Sequence, residues 1–205
     1  MITVVLRVWL PDHPGALGEV ATAIGIVGGD VLAIEILEQG AGTAIDELTV
    51  SLPDQELIPQ LTSEVDQVDG AAVESVTIVD ADRVDASLSA LALGAAIAEC
   101  PVGERLDVLC AGVRRFSGAD WVVVLRAGDS IAQSGDSPDL AWLTAFLAGS
   151  EHLDGLDDAA PNDLLWAHLL SSGLTIAAGR SGHPIRELER VRFSLLSRLA
   201  DALLV

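Results

Sequence analysis

The fold of the first part of the chain is decided by residues 3–38, TVVLRVWLPDHPGALGEVATAIGIVGGDVLAIEILE. They begin with a β-branched, apolar run whose alternate positions share one face, as in a β-strand. Proline and glycine break this run at residues 11–15, and apolar residues then recur at helical spacing over residues 17–27. A glycine pair ends that helix, and residues 31–38 return to a strand pattern. The stretch therefore predicts a β-α-β unit.

Three further elements follow in the first part of the chain. Residues 45–52 alternate between apolar and polar positions, which predicts a strand with its even-numbered apolar residues facing inward. Residues 57–68 place leucine and valine at helical spacing, and residues 72–79 form a β-branched run. The resulting order, β-α-β-β-α-β, is the split ferredoxin-like arrangement, with two helices on one face of a four-stranded antiparallel sheet.

The second part of the chain predicts another α+β domain, with an antiparallel sheet of at least four strands flanked by helices. Helices are predicted at residues 84–100, 103–116, 138–147 and from 184 onward, and strands at 121–126, 130–134, 164–170 and 174–178. Residues 149–162 hold four acidic residues and two glycines, which is typical of a solvated surface loop.

Two helices of this second part carry apolar stripes. The first stripe contains Leu88, Leu91 and Ala95, and the second contains Leu188, Val191, Leu195 and Leu199. The two stripes can meet in one bundle, either within the chain or between two chains. Packing within the chain is the default expectation.

The balance of acidic and basic residues changes at the same place where the two predicted domains meet. Residues 1–80 carry fourteen acidic residues and one arginine, whereas the remainder carries seventeen acidic residues and ten arginines. This step in composition predicts a boundary near Asp80, with one domain over residues 1–80 and another over residues 84–205.

The net charge of −20 argues against several classes of partner. Phosphate binding needs clustered cations, so we expect no binding to nucleic acid or to anionic membranes. The sequence has no lysine and no dinucleotide-binding glycine pattern, which argues against Schiff-base, P-loop and dinucleotide chemistry. It has two cysteines, and its apolar runs are too short to span a membrane. We therefore expect a cytoplasmic protein without a cofactor or metal.

One combination of segments resembles a known family. Residues 12–17, DHPGAL, follow a strand and open a helix, and residues 28–32, GGDVL, open the next strand. Within the β-α-β-β-α-β order, this combination resembles the ACT domain over about residues 1–80. The resemblance implies a regulatory module that binds a small ligand, usually an amino acid, at the interface of two paired domains. It therefore also implies a homodimer.

The residues at this position suit such a ligand. The start of a helix favours the carboxylate of an amino acid, and Gly15 lets the backbone approach it closely. Asp12 is a candidate to accept a hydrogen bond from the ammonium group or, alternatively, to cap the helix. Asp30 stands where ACT domains often carry an asparagine that contacts the ligand across the pair. The candidate ligand-binding residues are Asp12, His13, Gly15, Ala16, Leu17, Asp30, Val31 and Leu32.

The second part has a looser resemblance. Residues 118–125, GADWVVVL, and residues 174–184, LTIAAGRSGHP, followed by a long helix, resemble parts of the GAF domain. The resemblance covers about residues 84–205, and none of these residues matches a specific ligand signature.

Three functions follow from these features. The leading hypothesis is a non-catalytic regulatory protein that binds an amino acid at the ACT-like part. The alternative is a ligand-free dimeric scaffold or protein-interaction module. An enzyme is disfavoured, because the sequence offers neither a nucleophile with its base nor a set of metal ligands.

Overall fold

The computed structural model describes residues 1–80, 86–150 and 162–205. The predicted boundary after Asp80 and most of the predicted loop at residues 149–162 lie outside the described residues. The chain divides into two compact units, Met1–Arg83 and Val84–Val205.

The first unit has the predicted ferredoxin-like order. Its elements within residues 1–80 are β1 (Ile2–Pro11), α1 (Ala16–Ile26), β2 (Asp30–Gly40), β3 (Thr43–Leu52), α2 (Ile58–Asp66) and β4 (Ala72–Val79), with a 3₁₀ turn at Gln55–Leu57. The four strands form an antiparallel sheet in the order β2-β3-β1-β4, so β2 and β4 are its edges. The prediction of a β-α-β-β-α-β fold is confirmed.

The core of the first unit lies between the sheet and its two helices. Alternate apolar residues of β1 and β3 face this core, and Leu6 pairs with Leu48 at its centre. Val20 and Ile24 of α1 and Leu61 of α2 pack onto them and are fully buried. Burial of a side chain of this size stabilises the fold by about 1.5–3 kcal/mol. A shift of one residue in strand register would expose this set, so the core fixes the register.

The second unit has the predicted antiparallel sheet. Its described elements are α3 (Ala86–Glu99), α4 (Arg105–Ser117), β5 (Trp121–Arg126), β6 (Asp129–Ser134), α5 (Leu140–Ser150), β7 (Leu164–Leu169), β8 (Leu174–Gly179) and α6 (Glu187–Leu204). The strand order is β6-β5-β8-β7. None of the helices in the described ranges combines the length and apolar character needed to cross a bilayer.

Helices cover both faces of this second sheet. Val122 and Val124 of β5 face a cluster that includes residues of α3, α4 and α6, whereas Val123 and Leu125 face α5. Every second residue of β5 thus points to a different layer, and both layers are apolar. This explains why residues 121–125 read as a continuous hydrophobic run rather than as an alternating one.

The structure corrects the predicted faces of α3 and α6. Leu188 is half-buried, and the other large residues of the predicted stripes remain exposed: Leu88, Leu91, Val191, Leu195 and Leu199. The buried residues are instead Leu93 and Ile97 of α3 and Phe193 and Leu196 of α6. The helices meet through Gly94, where an added Cβ would lie 2.6 Å from Leu199 Cδ2. Because α3 is apolar on several sides, the spacing of its apolar residues could not show that Gly94 is where it contacts α6.

Candidate functional site

The candidate site is the β1–α1 corner, residues 12–18, where β1 ends and α1 begins. Gly15 precedes α1 in a left-handed backbone conformation, with φ of 103°. Within residues 1–80 no side chain caps this helix, so the N–H groups of Leu17 and Gly18 are left without a carbonyl partner. A Cβ added at Gly15 or Gly18 would meet no atom within 4 Å. The start of α1 is therefore open and favours an anion.

Asp12 lies beside this helix start but does not cap it. Its Oδ1 accepts a hydrogen bond from Gln39 Nε2 at 2.8 Å, and its backbone N–H donates to the Gly42 carbonyl at 2.9 Å. The alternative in which Asp12 caps α1 is wrong, because Gly15 occupies the cap position three residues later. Asp12 instead ties the β1–α1 corner to the end of β2, and its side chain stays exposed.

The other predicted residues of the corner differ in burial. Ala16 is buried, Leu17 is half-buried and His13 is exposed, with its Nδ1 3.3 Å from the Pro14 carbonyl oxygen. No group of three His, Cys, Asp or Glu residues in the described part of the chain is placed to hold a metal ion. The groups that this corner offers to a ligand are therefore backbone N–H donors and carboxylates.

The second predicted segment, Asp30–Leu32, lies at the opposite end of the sheet. Asp30 pairs with Ser51 of β3, and Ser51 pairs with Thr3 near the start of β1. The corner follows Pro11 at the other end of β1, roughly 30 Å away at the usual rise of a strand. Within one chain, the structure does not bring these three residues to the corner.

Asp46 of β3 is a site residue that the sequence pattern did not indicate. It pairs with Val8 of β1 and with Ile36 of β2, so its side chain lies on the face that carries the helices. The residue is 4% exposed, and its Oδ1 has no hydrogen-bond partner among the described residues. Burial raises the pKa of Asp46, and the charge of Asp12 raises it further. The sequence did contain one indication of this residue: Asp46 stands two positions before Leu48 in the inward-facing series of β3.

The sheet edge beside Asp46 is apolar and open. Ile34 pairs with Leu48 and Ile36 pairs with Asp46, which places both isoleucines on the face of the sheet that carries the helices. They nevertheless remain about half exposed, at 43% and 52%. The helices therefore leave part of β2 uncovered, and this uncovered strip adjoins the β1–α1 corner.

Comparison with known sequences gave one family model and one curated relative. The family model of the ACT domain, which is typically a ligand-binding regulatory module, matches residues 4–70. A stretch of 75 residues, 37% of this chain, is 33% identical to NAD-dependent malic enzyme 1 of Bacillus subtilis. The match spans 17% of that enzyme's length.

Similar solved structures include one that is itself an ACT domain, from the GTP pyrophosphokinase of Chlorobium tepidum. It is 14% identical, covers 38% of this chain and 97% of its own, and has a TM-score of 0.31. An unknown protein from Galdieria sulphuraria is 18% identical and covers 98% of this chain and 92% of its own, with a TM-score of 0.33. At these scores, neither likeness adds to the match of the family model.

Proposed function

We propose that this protein is a non-catalytic regulatory protein whose first unit, residues 1–80, is an ACT domain that binds an amino acid at the β1–α1 corner. One observation carries the proposal. The uncapped start of α1 at Gly15 lies within the residues that match the ACT family model. A second domain over residues 84–205 follows it in the proposed organisation, and the two compact units support this division.

The two charged groups of an amino acid suit different parts of the corner. Its carboxylate accepts hydrogen bonds from the free N–H groups of Leu17 and Gly18, where the positive end of the helix dipole adds to the attraction. Its ammonium group lies on the side of the acidic residues around β1 and β3. Its side chain rests against the exposed isoleucines of β2, Ile34 and Ile36.

The proposed partner is a second copy of the chain. The edge strand β2 runs from Asp30 at one end of the sheet to Gly40 near the corner. If two β2 strands pair antiparallel about a two-fold axis, the Asp30 end of one copy lies beside the corner of the other. Asp30, Val31 and Leu32 of the second copy then complete the site. The exposed apolar residues of β2 support this pairing, since it would cover them.

The second unit is proposed to be a GAF-like domain that stabilises the dimer. Its exposed leucines on α3 and α6 support this role, because monomers seldom leave large apolar patches in water. The two cysteines, Cys100 and Cys110, form no disulfide, which supports a cytoplasmic location.

A ligand-free scaffold is the second candidate function. The same exposed residues on β2, α3 and α6 favour it, because a pairing surface needs no bound ligand. The two functions differ in one measurable property, which is whether an amino acid stabilises the folded protein.

A melting screen against the twenty amino acids tests the proposal. At about 100-fold above Kd, binding adds about 2.7 kcal/mol to the free energy of unfolding. For a chain of this length we therefore expect the Tm to rise by roughly 5–10 °C with one or a few amino acids. A flat panel would favour the scaffold.

The variant Gly18→Glu tests whether the amino acid that raises the Tm binds at the β1–α1 corner. Gly18 has open space around it and a backbone that accepts a side chain, whereas Gly15, with its positive φ, does not. A glutamate at this third helical position reaches back towards the N–H of Gly15, and its negative charge at the helix start repels a carboxylate, so binding should be lost while the helix is stabilised. Gly103→Glu adds the same charge at an open glycine of the second unit and should leave binding unchanged.

A further inference from the structure

Asp46 is buried, and one of its carboxylate oxygens, Oδ1, has no hydrogen-bond partner in the described part of the chain. Its backbone is held in the middle of the sheet by β1 and β2, and its side chain shares a face with the core residues Leu48 and Val50. The residue exposes 4% of its surface, and no described residue donates a hydrogen bond to Oδ1. Buried polar groups are normally hydrogen-bonded, so an unpaired carboxylate oxygen at such a position calls for a donor.

Among the described residues 1–80, no arginine or lysine is placed to supply that donor. Residues 1–80 contain no lysine and one arginine, Arg7. Arg7 pairs with Glu47 in the strand register, on the face of the sheet opposite to Asp46, and its Nη2 lies 2.8 Å from Glu47 Oε2. Burial raises the pKa of Asp46, and repulsion by the carboxylate of Asp12 raises it further.

Asp46 lies at the same end of the sheet as the start of α1. Val8, its partner on β1, is three residues before Pro11, where β1 ends. The chain then turns at residues 12–15, and Ala16 packs back with 3% of its surface exposed. The first turn of α1 thus lies over this end of the sheet, and the influence of Asp12 on Asp46 agrees with that placement. The start of α1, with its amide donors, and the Asp46 carboxylate therefore belong to the same end of the first sheet.

We propose that Asp46 recognises a primary ammonium group, so that the β1–α1 corner selects ligands that carry both a free ammonium and a carboxylate. This inference rests on the proposed function, because it names the feature of the amino acid that the site reads. The helix start binds the carboxylate and Asp46 accepts the hydrogen bond from the ammonium. The half-exposed Ile36, its neighbour on β2, marks the open side from which a ligand reaches Asp46.

The inference predicts a specific pattern of selectivity. An amino acid whose ammonium group is acetylated keeps its carboxylate and side chain but loses the cation. Such a compound leaves Asp46 unpaired and buried, which is the situation that binding sites reject most strongly. N-acetyl derivatives should therefore bind far more weakly than the free amino acids.

The test measures the Tm of the full chain with each of the twenty amino acids, with their N-acetyl derivatives, and with ethylamine and isobutylamine. Three proteins are compared: the native chain, Asp46→Asn, and the matched control Asp69→Asn, which removes the same charge at an exposed position. Asp46→Asn removes an uncompensated buried charge, so it should fold at least as stably as the native chain. The comparison of free with acetylated amino acids in the native chain needs no variant.

We expect at least one amino acid to raise the Tm of the native chain, and its N-acetyl derivative to leave the Tm unchanged. Asp46→Asn should lower the affinity for that amino acid at least about tenfold, whereas Asp69→Asn should leave it unchanged. If acetylated and free amino acids bind alike, or if Asp46→Asn binds as the native chain does, the inference is wrong and the proposed function stands. If only the amines bind and Asp46→Asn abolishes this, the role of Asp46 stands and the amino-acid function is wrong. If none of these compounds binds, both are wrong.

Discussion

At the scale of single residues, the β1–α1 corner depends on a bare stretch of backbone. Gly15 adopts a φ of 103°, which side-chain-bearing residues rarely accept, and it offers no side chain to cap the helix that follows. The Pro-Gly step in the sequence predicted this turn, because its chemistry is local. Asp46 was not predicted, because whether an inward carboxylate has a partner depends on what the other strands and helices bring to it.

Asp201 of α6 gives the second unit a stability that depends on pH. Its carboxylate accepts hydrogen bonds from the N–H groups of Ser171 and Ser172, both at 2.9 Å, and from the Ser172 hydroxyl at 2.8 Å. Burial by itself would raise the pKa of Asp201, but these hydrogen bonds outweigh it and the pKa is lowered from 3.8. The stabilisation is therefore fully present above the ordinary pKa and is lost as the pH falls through the lowered value.

The variant Asp201→Ala should lower the free energy of unfolding by about 1–3 kcal/mol at pH 7, since three donors lose a charged acceptor. The loss should be smaller at a pH below 3.8, where the native carboxylate also begins to bind a proton. Urea unfolding at the two pH values measures the difference, with the exposed Asp136→Ala as the control. An equal loss at both pH values would contradict the assigned role of the carboxylate charge.

At the scale of elements, local patterns predicted the strands and helices well, but not every buried face. In the first unit, the apolar residues of β1 and β3 that face the helices are those that the pattern selected. In α3, leucine and alanine occur on several sides, so periodicity allowed more than one face. The choice was made by Gly94, whose missing side chain admits Leu199 of α6. A close approach of this kind depends on two distant segments and has no local signature.

The corrected face of α3 predicts the effect of two similar substitutions. Leu93 is 7% exposed and belongs to the core of the second unit, whereas Leu91 is 65% exposed. Leu93→Ala should lower the free energy of unfolding by about 2–5 kcal/mol, and Leu91→Ala should change it by less than about 0.5 kcal/mol. Chemical denaturation of the two variants measures both values. The reverse order would restore the face that the apolar stripe predicted.

At the scale of the whole molecule, the proposed site needs two copies of the chain to be complete. The candidate residues lie at two ends of one sheet, and the antiparallel pairing of β2 strands is the arrangement that joins them. The sequence could name both segments through their resemblance to a family. It could not place them, because their distance within one chain depends on the length of β1 and the order of the strands.

The variant Ile34→Glu tests this pairing, because it places two like charges near the two-fold axis at the middle of β2. Light scattering should give about twice the chain mass of 21.3 kDa for the native protein and the single mass for the variant. The control Ile78→Glu makes the same change on the opposite edge strand, β4, where Ile78 is 54% exposed. This variant should remain a dimer. A monomeric Ile78→Glu with a dimeric Ile34→Glu would move the interface to β4.

The central claim is that a small anion binds the free N–H groups at the start of α1. The most direct test records the amide resonances of the ¹⁵N-labelled full chain while the amino acid with the largest Tm shift is added. The account predicts that the amide signals of Leu17 and Gly18 move most and saturate with the same Kd as the thermal shift. Saturable shifts confined to other residues, with Leu17 and Gly18 unchanged, would contradict it.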